Sequence, residues 1–262
     1  MIRKFFLPFS LCFLFLFLGC VSRPAISAED EALLYPVETY VPETFDWEEV
    51  CLGVARFDFE NADIPLIYHA VKINLNNPEL TVTCTQWERT SDFAARENCL
   101  VAINATPFGK DGQLVGIHKE KGNIISHSNS RYAAIAFGPD GVKIFESQRD
   151  EEFEAFDFTF GGFWVVLKNG EVVEDFVRRC DSRSGAGISA DGKTLFLLVV
   201  EGERAARSIG LSYPQCGEIF RAMGCSDALE FDGGGSSDLC INGRSLLSYK
   251  VRRVQGNSFG VK

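Results

Sequence analysis

The sequence predicts a single α+β domain (α/β in the broad sense) over residues 45–262, with a mixed β-sheet and few helices. Three observations predict it. Short apolar or alternating runs recur between Gly, Pro, Asn and Asp turn signals. One segment carries clear signals for both ends of a helix. No linker or shift of composition divides 45–262.

The chain opens with MIRKFFLPFSLCFLFLFLGC. Arg3 and Lys4 precede an apolar run that is short for about 30 Å of hydrocarbon, so residues 1–20 read as a secretory signal. Its end, Gly19-Cys20, looks like a bacterial lipobox and predicts lipidation of Cys20 with cleavage before it. The expected location is therefore outside the cytoplasm, on the cell envelope and held to the membrane by the lipid. Residues 21–44 contain Pro24, Pro36 and Pro42 among acidic residues and read as a tether. Apolar pieces such as Leu33-Leu34-Tyr35 are able to pack on the domain.

Within the domain, the run 67–75 (IYHAVKINL) alternates as a strand does, and 80–85 continues the pattern beyond the turn signal Asn77-Pro78. Residues 91–97 make a short helix with Ser91 as N-cap. Residues 100–103 form an apolar strand that runs into Asn104. The runs 133–137 and 142–145 flank Gly138-Pro139-Asp140-Gly141, a hairpin signal. Asp191-Gly192-Lys193 is a second hairpin turn, leading into 194–200 (TLFLLVV), a strand buried on both faces. The best helix is 213–223. Ser212 and Gln215 match a capping box, Cys216, Ile219, Phe220 and Met223 form one apolar stripe, and Gly224 stands where a terminating glycine belongs. Residues 228–232 are then a strand.

Lys and Arg number 26 against 36 Asp and Glu, a net charge of -10. That sign opposes a phosphate backbone and excludes a general nucleic-acid binder. An anionic ligand must be held by local arginines or backbone N–H groups. Outside Cys12 and Cys20, the cysteines are Cys51, Cys84, Cys99, Cys180, Cys216, Cys225 and Cys240, an odd set that leaves at least one thiol free. Cys216 and Cys225 flank the 213–223 helix, about 12 Å apart along it, beyond the roughly 7 Å a disulfide spans. There is no Cys-x-x-Cys, and His69, His118 and His127 lack zinc spacing. No cofactor is indicated by these spacings; a divalent cation such as Ca²⁺ or Mg²⁺ on Asp, Glu and Asn stays open, without EF-hand-like spacing.

The sharpest chemical signal is Glu230-Phe231-Asp232-Gly233-Gly234-Gly235-Ser236-Ser237. Three bare glycines after a strand allow consecutive N–H groups to converge into an anion-binding nest, with serine hydroxyls as further donors. It is neither a phosphate-binding Walker loop nor a dinucleotide fingerprint. Strand alternation puts Glu230 and Asp232 on one face, about 6.6 Å apart along it, suited to acid/base or nucleophile roles. Arg183, within Ser182-Arg183-Ser184-Gly185, stands out among the arginines as a candidate phosphate ligand.

These motifs together resemble the phosphodiester glycosidase family. The markers are Val101-Ala102-Ile103-Asn104-Ala105, Gly161-Gly162 before Trp164, Ser182 to Gly187, Asp191-Gly192-Lys193 leading to Glu201-Gly202, and the glycine-rich segment after Asp232. The chain departs from the usual family pattern after Asn104 and at Ser184, Glu201 and Glu230. The resemblance implies a hydrolase that cleaves a sugar from a glycosyl-1-phosphodiester of a glycan or envelope polysaccharide. Because phosphate leaves readily as an anion, such a site needs a phosphate cradle and one carboxylate more than it needs a general acid. The expected set is Asp232 as the reacting carboxylate with Glu201 or Glu230 as partner. Gly233, Gly234, Gly235 and Ser236 with Arg183 hold the phosphate, and Asn104 hydrogen-bonds sugar or phosphate. The alternative is a degenerate surface module that binds phosphorylated glycans without cleaving them.

Overall fold

The computed structural model describes residues 35–262 apart from Leu52, Ala62, Pro78, Val177 and Arg178. The predicted signal with Cys20, and most of the predicted tether, lie outside the described residues.

Three antiparallel sheets make up the fold. The first runs in the order β1 (Glu48–Cys51), β2 (Val54–Asn61), β3 (Leu66–Asn74), β14 (Thr194–Val200), β13 (Arg183–Ile188), β15 (Asp227–Glu230), β11 (Val165–Lys168), β12 (Glu171–Val172). The second runs β7 (Asn123–Ser126), β6 (His118–Glu120), β10 (Phe158–Gly161), β8 (Ala134–Gly138), β9 (Gly141–Phe145). The third runs β17 (Arg244–Ser245), β16 (Leu239–Ile241), β5 (Val101–Asn104), β18 (Gln255–Val261), β4 (Val82–Glu88). The helices are α1 (Thr90–Glu97) and α2 (Tyr213–Met223).

The α+β reading holds, but no parallel pairing occurs among the described residues, where a mixed sheet was expected. The reason lies in α2. It joins β14 to β15, which run in the same direction as a helical crossover requires. β13 sits between them and pairs antiparallel with both. β13 is also what lets α2 seat. A Cβ on Gly187 would stand 2.6 Å from Cys225 Sγ, and one on Gly185 would stand 3.2 Å from the Phe220 ring. The bare Gly185-Ala186-Gly187 surface is therefore the floor of the helix.

β14 is buried on both faces, as its composition predicts. Leu195, Leu197 and Val199 join Ile103, Leu239 and Phe259 between the first and third sheets. Phe196, Leu198 and Val200 join Ile219, Phe220 and Cys216 beneath α2. Ser212 caps α2 through Gln215, whose Oε1 accepts from both the Ser212 N–H (2.9 Å) and hydroxyl (2.8 Å), and Gly224 closes the helix at φ 96°.

Two local expectations are corrected. Ser91 is not the N-cap of α1. The helix starts at Thr90, whose N–H donates 3.0 Å to Gln255 Oε1, so a tertiary partner replaces the local cap. The strand expected over 228–232 ends at Glu230, because the Asp232 N–H turns to Ala105 O instead of a ladder partner. Residues 35–44 pack on the domain: Tyr40 is buried and its carbonyl accepts from the Tyr68 hydroxyl at 3.1 Å. All seven described cysteines are free thiols.

Candidate active site

The glycine-rich segment leaves β15 between the first and third sheets and folds into a tight 3-10 turn, Gly234–Ser236. The Gly234 N–H donates to Ser182 O at 2.9 Å, Ser236 to Gly233 O at 3.2 Å and Ser237 to Gly234 O at 3.0 Å. Of the four N–H groups expected to converge into a nest at Gly233, Gly234, Gly235 and Ser236, those of Gly234 and Ser236 are therefore committed to carbonyls, and that of Gly233 faces the Asp232 carboxyl. What the turn offers is hydroxyls. Ser182, Ser236 and Ser237 are buried; the Ser237 hydroxyl closes no hydrogen bond among the described residues, while those of Ser236 and Ser182 lie beside the Asp232 carboxyl and the Tyr249 hydroxyl, respectively.

Asp232 enters this turn with its backbone fixed. Its N–H donates 2.9 Å to Ala105 O, and its carbonyl accepts 2.7 Å from Asn104 Nδ2. Asn104 Oδ1 accepts in turn from Ser184 Oγ (2.7 Å) and the Asp238 N–H (3.0 Å). Asn104 is wholly buried and is placed to hold Asp232. The Asp232 carboxyl is half-buried. Burial raises its pKa above the ordinary aspartate value, while the Ser236 hydroxyl, the Arg253 charge and the Gly233 N–H pull the other way.

Arg183 and Glu230 meet on the helix side of the first sheet. Arg183 Nε–H donates 2.8 Å to Leu211 O, Nη2–H donates 2.6 Å to Arg179 O, and the guanidinium lies 4.2 Å over the Tyr213 ring. Gly233 is bare where this matters: a Cβ there would stand 2.8 Å from Ser182 O and 3.8 Å from Arg183 Nη1. Glu230 is 0% exposed, and among the described residues only the Cys216 thiol lies beside its carboxyl as a hydrogen-bonding side chain. Burial pushes its pKa up to about 8 against the pull of Arg183, so it is mostly neutral at pH 7.

Glu201 stands apart from these groups. It follows β14 on the face opposite Arg183 and is 1% exposed. Its Oε1 accepts from the Ser248 N–H (2.5 Å) and lies 3.6 Å from His69 Nε2, and its Oε2 accepts from Ser248 Oγ (2.6 Å). His69 Nδ1 is 2.7 Å from Asp58 Oδ1. Burial alone would lower the His69 pKa, but the two carboxylates outweigh it and hold it above the ordinary value. Burial likewise opposes a charged Glu201, yet His69 and Ser248 keep its pKa below the usual glutamate value.

The structure thus puts Asp232 at the head of the Gly233, Gly234, Gly235 and Ser236 turn with Asn104 behind it, sets Arg183 and Glu230 together on the α2 side next to Gly233, and binds Glu201 into a separate array. Sequence reasoning missed Asp238, Tyr249, Ser248 and His69. The signal that could have found Asp238 is its place as the second acid of Asp-Gly-Gly-Gly-Ser-Ser-Asp. It is buried, with its pKa pushed up to about 6 by that burial, and it accepts 2.5 Å from Ser245 Oγ. His69 sits in an alternating strand, and nothing local in the sequence marks its role.

Cys84, His118 and Glu120 also approach one another, with candidate ligand atoms within 4.8 Å. Asn257 Oδ1 accepts from the Thr106 N–H, so its Nδ2 is the atom 3.0 Å from His118 Nδ1. Nδ1 must then accept, and the ring proton sits on Nε2, facing Cys84 Sγ at 3.7 Å. That tautomer lacks the lone pair a metal would need there.

A family profile described as phosphodiester glycosidase matches residues 97–262. The chain belongs to the phosphodiester glycosidase family. The match takes in Asn104, Arg183, Glu201, Glu230 and Asp232, and leaves β1 to β4 with His69 outside it. The SPbeta prophage-derived uncharacterized protein YomE of Bacillus subtilis (strain 168) is 27% identical over 178 residues, covering 62% of this chain and 27% of YomE. The catalytic domain of zebrafish N-acetylglucosamine-1-phosphodiester α-N-acetylglucosaminidase (NAGPA), auto-inhibited by pro-peptide, shares the fold. Its TM-score is 0.66 at 18% identity over 92% of this chain and 94% of that one. A hypothetical protein from Synechocystis gives a TM-score of 0.67 at 15% identity over 83% and 63%.

Proposed function

We propose that this phosphodiester glycosidase family member hydrolyses a glycosyl-1-phosphodiester and releases the sugar. The observation that carries the reading is the contrast among three carboxyls. Glu201 and Glu230 are sealed from solvent, whereas Asp232 is partly exposed at the head of the glycine turn, with the Ser236 hydroxyl beside it. Asp232 is then the reacting carboxylate, attacking the anomeric carbon or activating water. The anomeric C–O bond breaks with its electron pair going to the phosphate oxygen, and water supplies the new hydroxyl of the sugar. Arg183, with the hydroxyls of Ser182 and Ser236, holds the phosphate as charge grows on it. Neutral Glu230 lies behind Arg183 and adds no negative charge where the anion sits. The envelope glycan as substrate, and export with lipidation at Cys20, belong to the same proposal.

Release of sugar from an N-acetylglucosamine-1-phosphodiester by wild type and Asp232→Asn tests it. Wild-type turnover in the variant removes Asp232 from the mechanism. Hydrolysis in ¹⁸O-water should label the sugar. Label in the phosphate instead would mean phosphorus–oxygen cleavage. The committed N–H groups of the 3-10 turn favour one second reading, a module that binds phosphorylated glycans without turnover. Calorimetric binding with no product over days would establish that reading in place of the first.

A further inference from the structure

Trp87 is 43% exposed and sits at φ 54°, a left-handed backbone that bulky residues rarely adopt. It interrupts the pairing of β4 with β18, where Gln86 faces Asn257 and Glu88 faces Gln255 while Trp87 and Gly256 remain unpaired. Its ring meets Phe108 edge-to-face, with centroids 5.5 Å apart and planes at 87°. Phe108 reaches this position because Gly256 lacks a side chain, since a Cβ there would stand 3.0 Å from Phe108 Cδ1 and 2.7 Å from Leu114 Cδ2. The Arg253 guanidinium lies 5.2 Å over the Phe108 ring. Val254, next along the chain, is 45% exposed. Neither Trp87 nor Phe108 belongs to a hydrophobic core cluster of the described residues. A strained, outward-facing aromatic on a bare strand position is a feature that packing does not account for.

This feature adjoins the reacting carboxylate. Phe108 lies three residues beyond Ala105, whose carbonyl holds the Asp232 N–H, and Arg253 is close enough for its charge to act on Asp232. Asp232 thus has Ala105 and the Arg253 charge near it, and Arg253 in turn covers the Phe108 ring. We infer that Trp87, Phe108 and Arg253 form the subsite for the sugar ring whose anomeric carbon faces Asp232. The inference rests on the reading of Asp232 given above. The C–H faces of a pyranose are apolar and positively polarised, and they match the negative face of an indole. The Arg253 donors suit the ring hydroxyls or an N-acetyl carbonyl.

Trp87→Gly is the clean variant, because glycine adopts φ 54° without strain and the ring alone is lost. Its thermal midpoint should be no lower than that of wild type. For the methyl ester of N-acetylglucosamine-1-phosphate, KM should rise about tenfold with kcat little changed, as for lost uniform binding. Unchanged KM in a turning-over Trp87→Gly enzyme overturns the subsite and leaves the hydrolase reading standing. Fluorescence, taken as wild type minus Trp87→Gly, separates the two ideas if wild type shows no turnover. A change with N-acetylglucosamine-1-phosphate but not with inorganic phosphate or mannose 6-phosphate upholds the subsite. No change, or an equal change with all three, overturns it.

Discussion

Asn104 Nδ2 donates a 2.7 Å hydrogen bond to the main-chain carbonyl of Asp232, 128 residues further along the chain. The same side chain accepts from Ser184 on β13 and from the Asp238 N–H, so one buried amide ties the third sheet to the first at the proposed reacting group. Asn104→Ala would leave a buried hydroxyl, a buried N–H and the Asp232 carbonyl without this partner, at about 1–3 kcal/mol for each group left unsatisfied. The variant should lose about 3 kcal/mol or more in urea unfolding, and its kcat should fall more than its KM rises, because the reacting carboxyl loses its anchor. A variant of wild-type stability and kcat would show that Asn104 does not position Asp232.

Glu230 predicts an unusual pH dependence of stability. Its folded pKa, about 8, lies far above the value of an unfolded glutamate. The folded state therefore holds a proton that the unfolded state releases above about pH 4.5, and stability falls as pH rises from there to about 8. Glu230→Gln keeps a neutral side chain of the same shape at every pH. Urea unfolding between pH 5 and 8 should show a shallower decline for Glu230→Gln, with the variant the more stable protein at pH 8 by a few kcal/mol. Parallel curves for the two proteins would mean that Glu230 is ionised in the folded state.

The elements were legible wherever local chemistry decided them. β14 and α2 occupy the expected residues because an unbroken apolar run and a capped amphipathic stripe need no distant partner to be recognised. The start of α1 was misread because its first N–H is satisfied by Gln255, 165 residues away. The same divide runs through the site. Asp232, Arg183 and Gly233 announce themselves through motif and glycine content, but the nest expected from the glycines depends on where each N–H points. Ser182 O took the Gly234 donor and Gly233 O that of Ser236. Glu201 looked equivalent to Glu230 in sequence, and only the alternation of β14 and β15 within one sheet sends them to opposite faces.

The Asp58–His69–Glu201 array predicts a second, opposite-sided window. His69 has a raised folded pKa, so its contribution is complete below about pH 6.5 and is lost as pH rises through the folded value. Asp58 and Glu201 have lowered pKa values, so theirs is present above the ordinary carboxylate range and is lost as pH falls through the folded values. The array therefore stabilises most between those limits. His69→Gln should cost about 2–3 kcal/mol at pH 6, and the deficit should shrink toward pH 9. A deficit equal at both pH values would mean that His69 stays neutral between its two carboxylates.

Arg253 and Asp232 link the proposed subsite to the proposed chemistry. Burial raises the Asp232 pKa, and the Arg253 charge is among the groups that restrain the rise. If ionised Asp232 is required, activity falls on the acid side as that carboxyl takes up its proton, with an inflection above the ordinary aspartate value. Removing the positive charge removes one restraint, so in Arg253→Met the acid limb of the kcat profile should move to higher pH. A tenfold loss of activity at pH 5 that largely recovers by pH 8 is the expected pattern. An unshifted limb with uniformly weaker binding would confine Arg253 to holding the sugar and leave the ionisation of Asp232 to its serine and backbone partners.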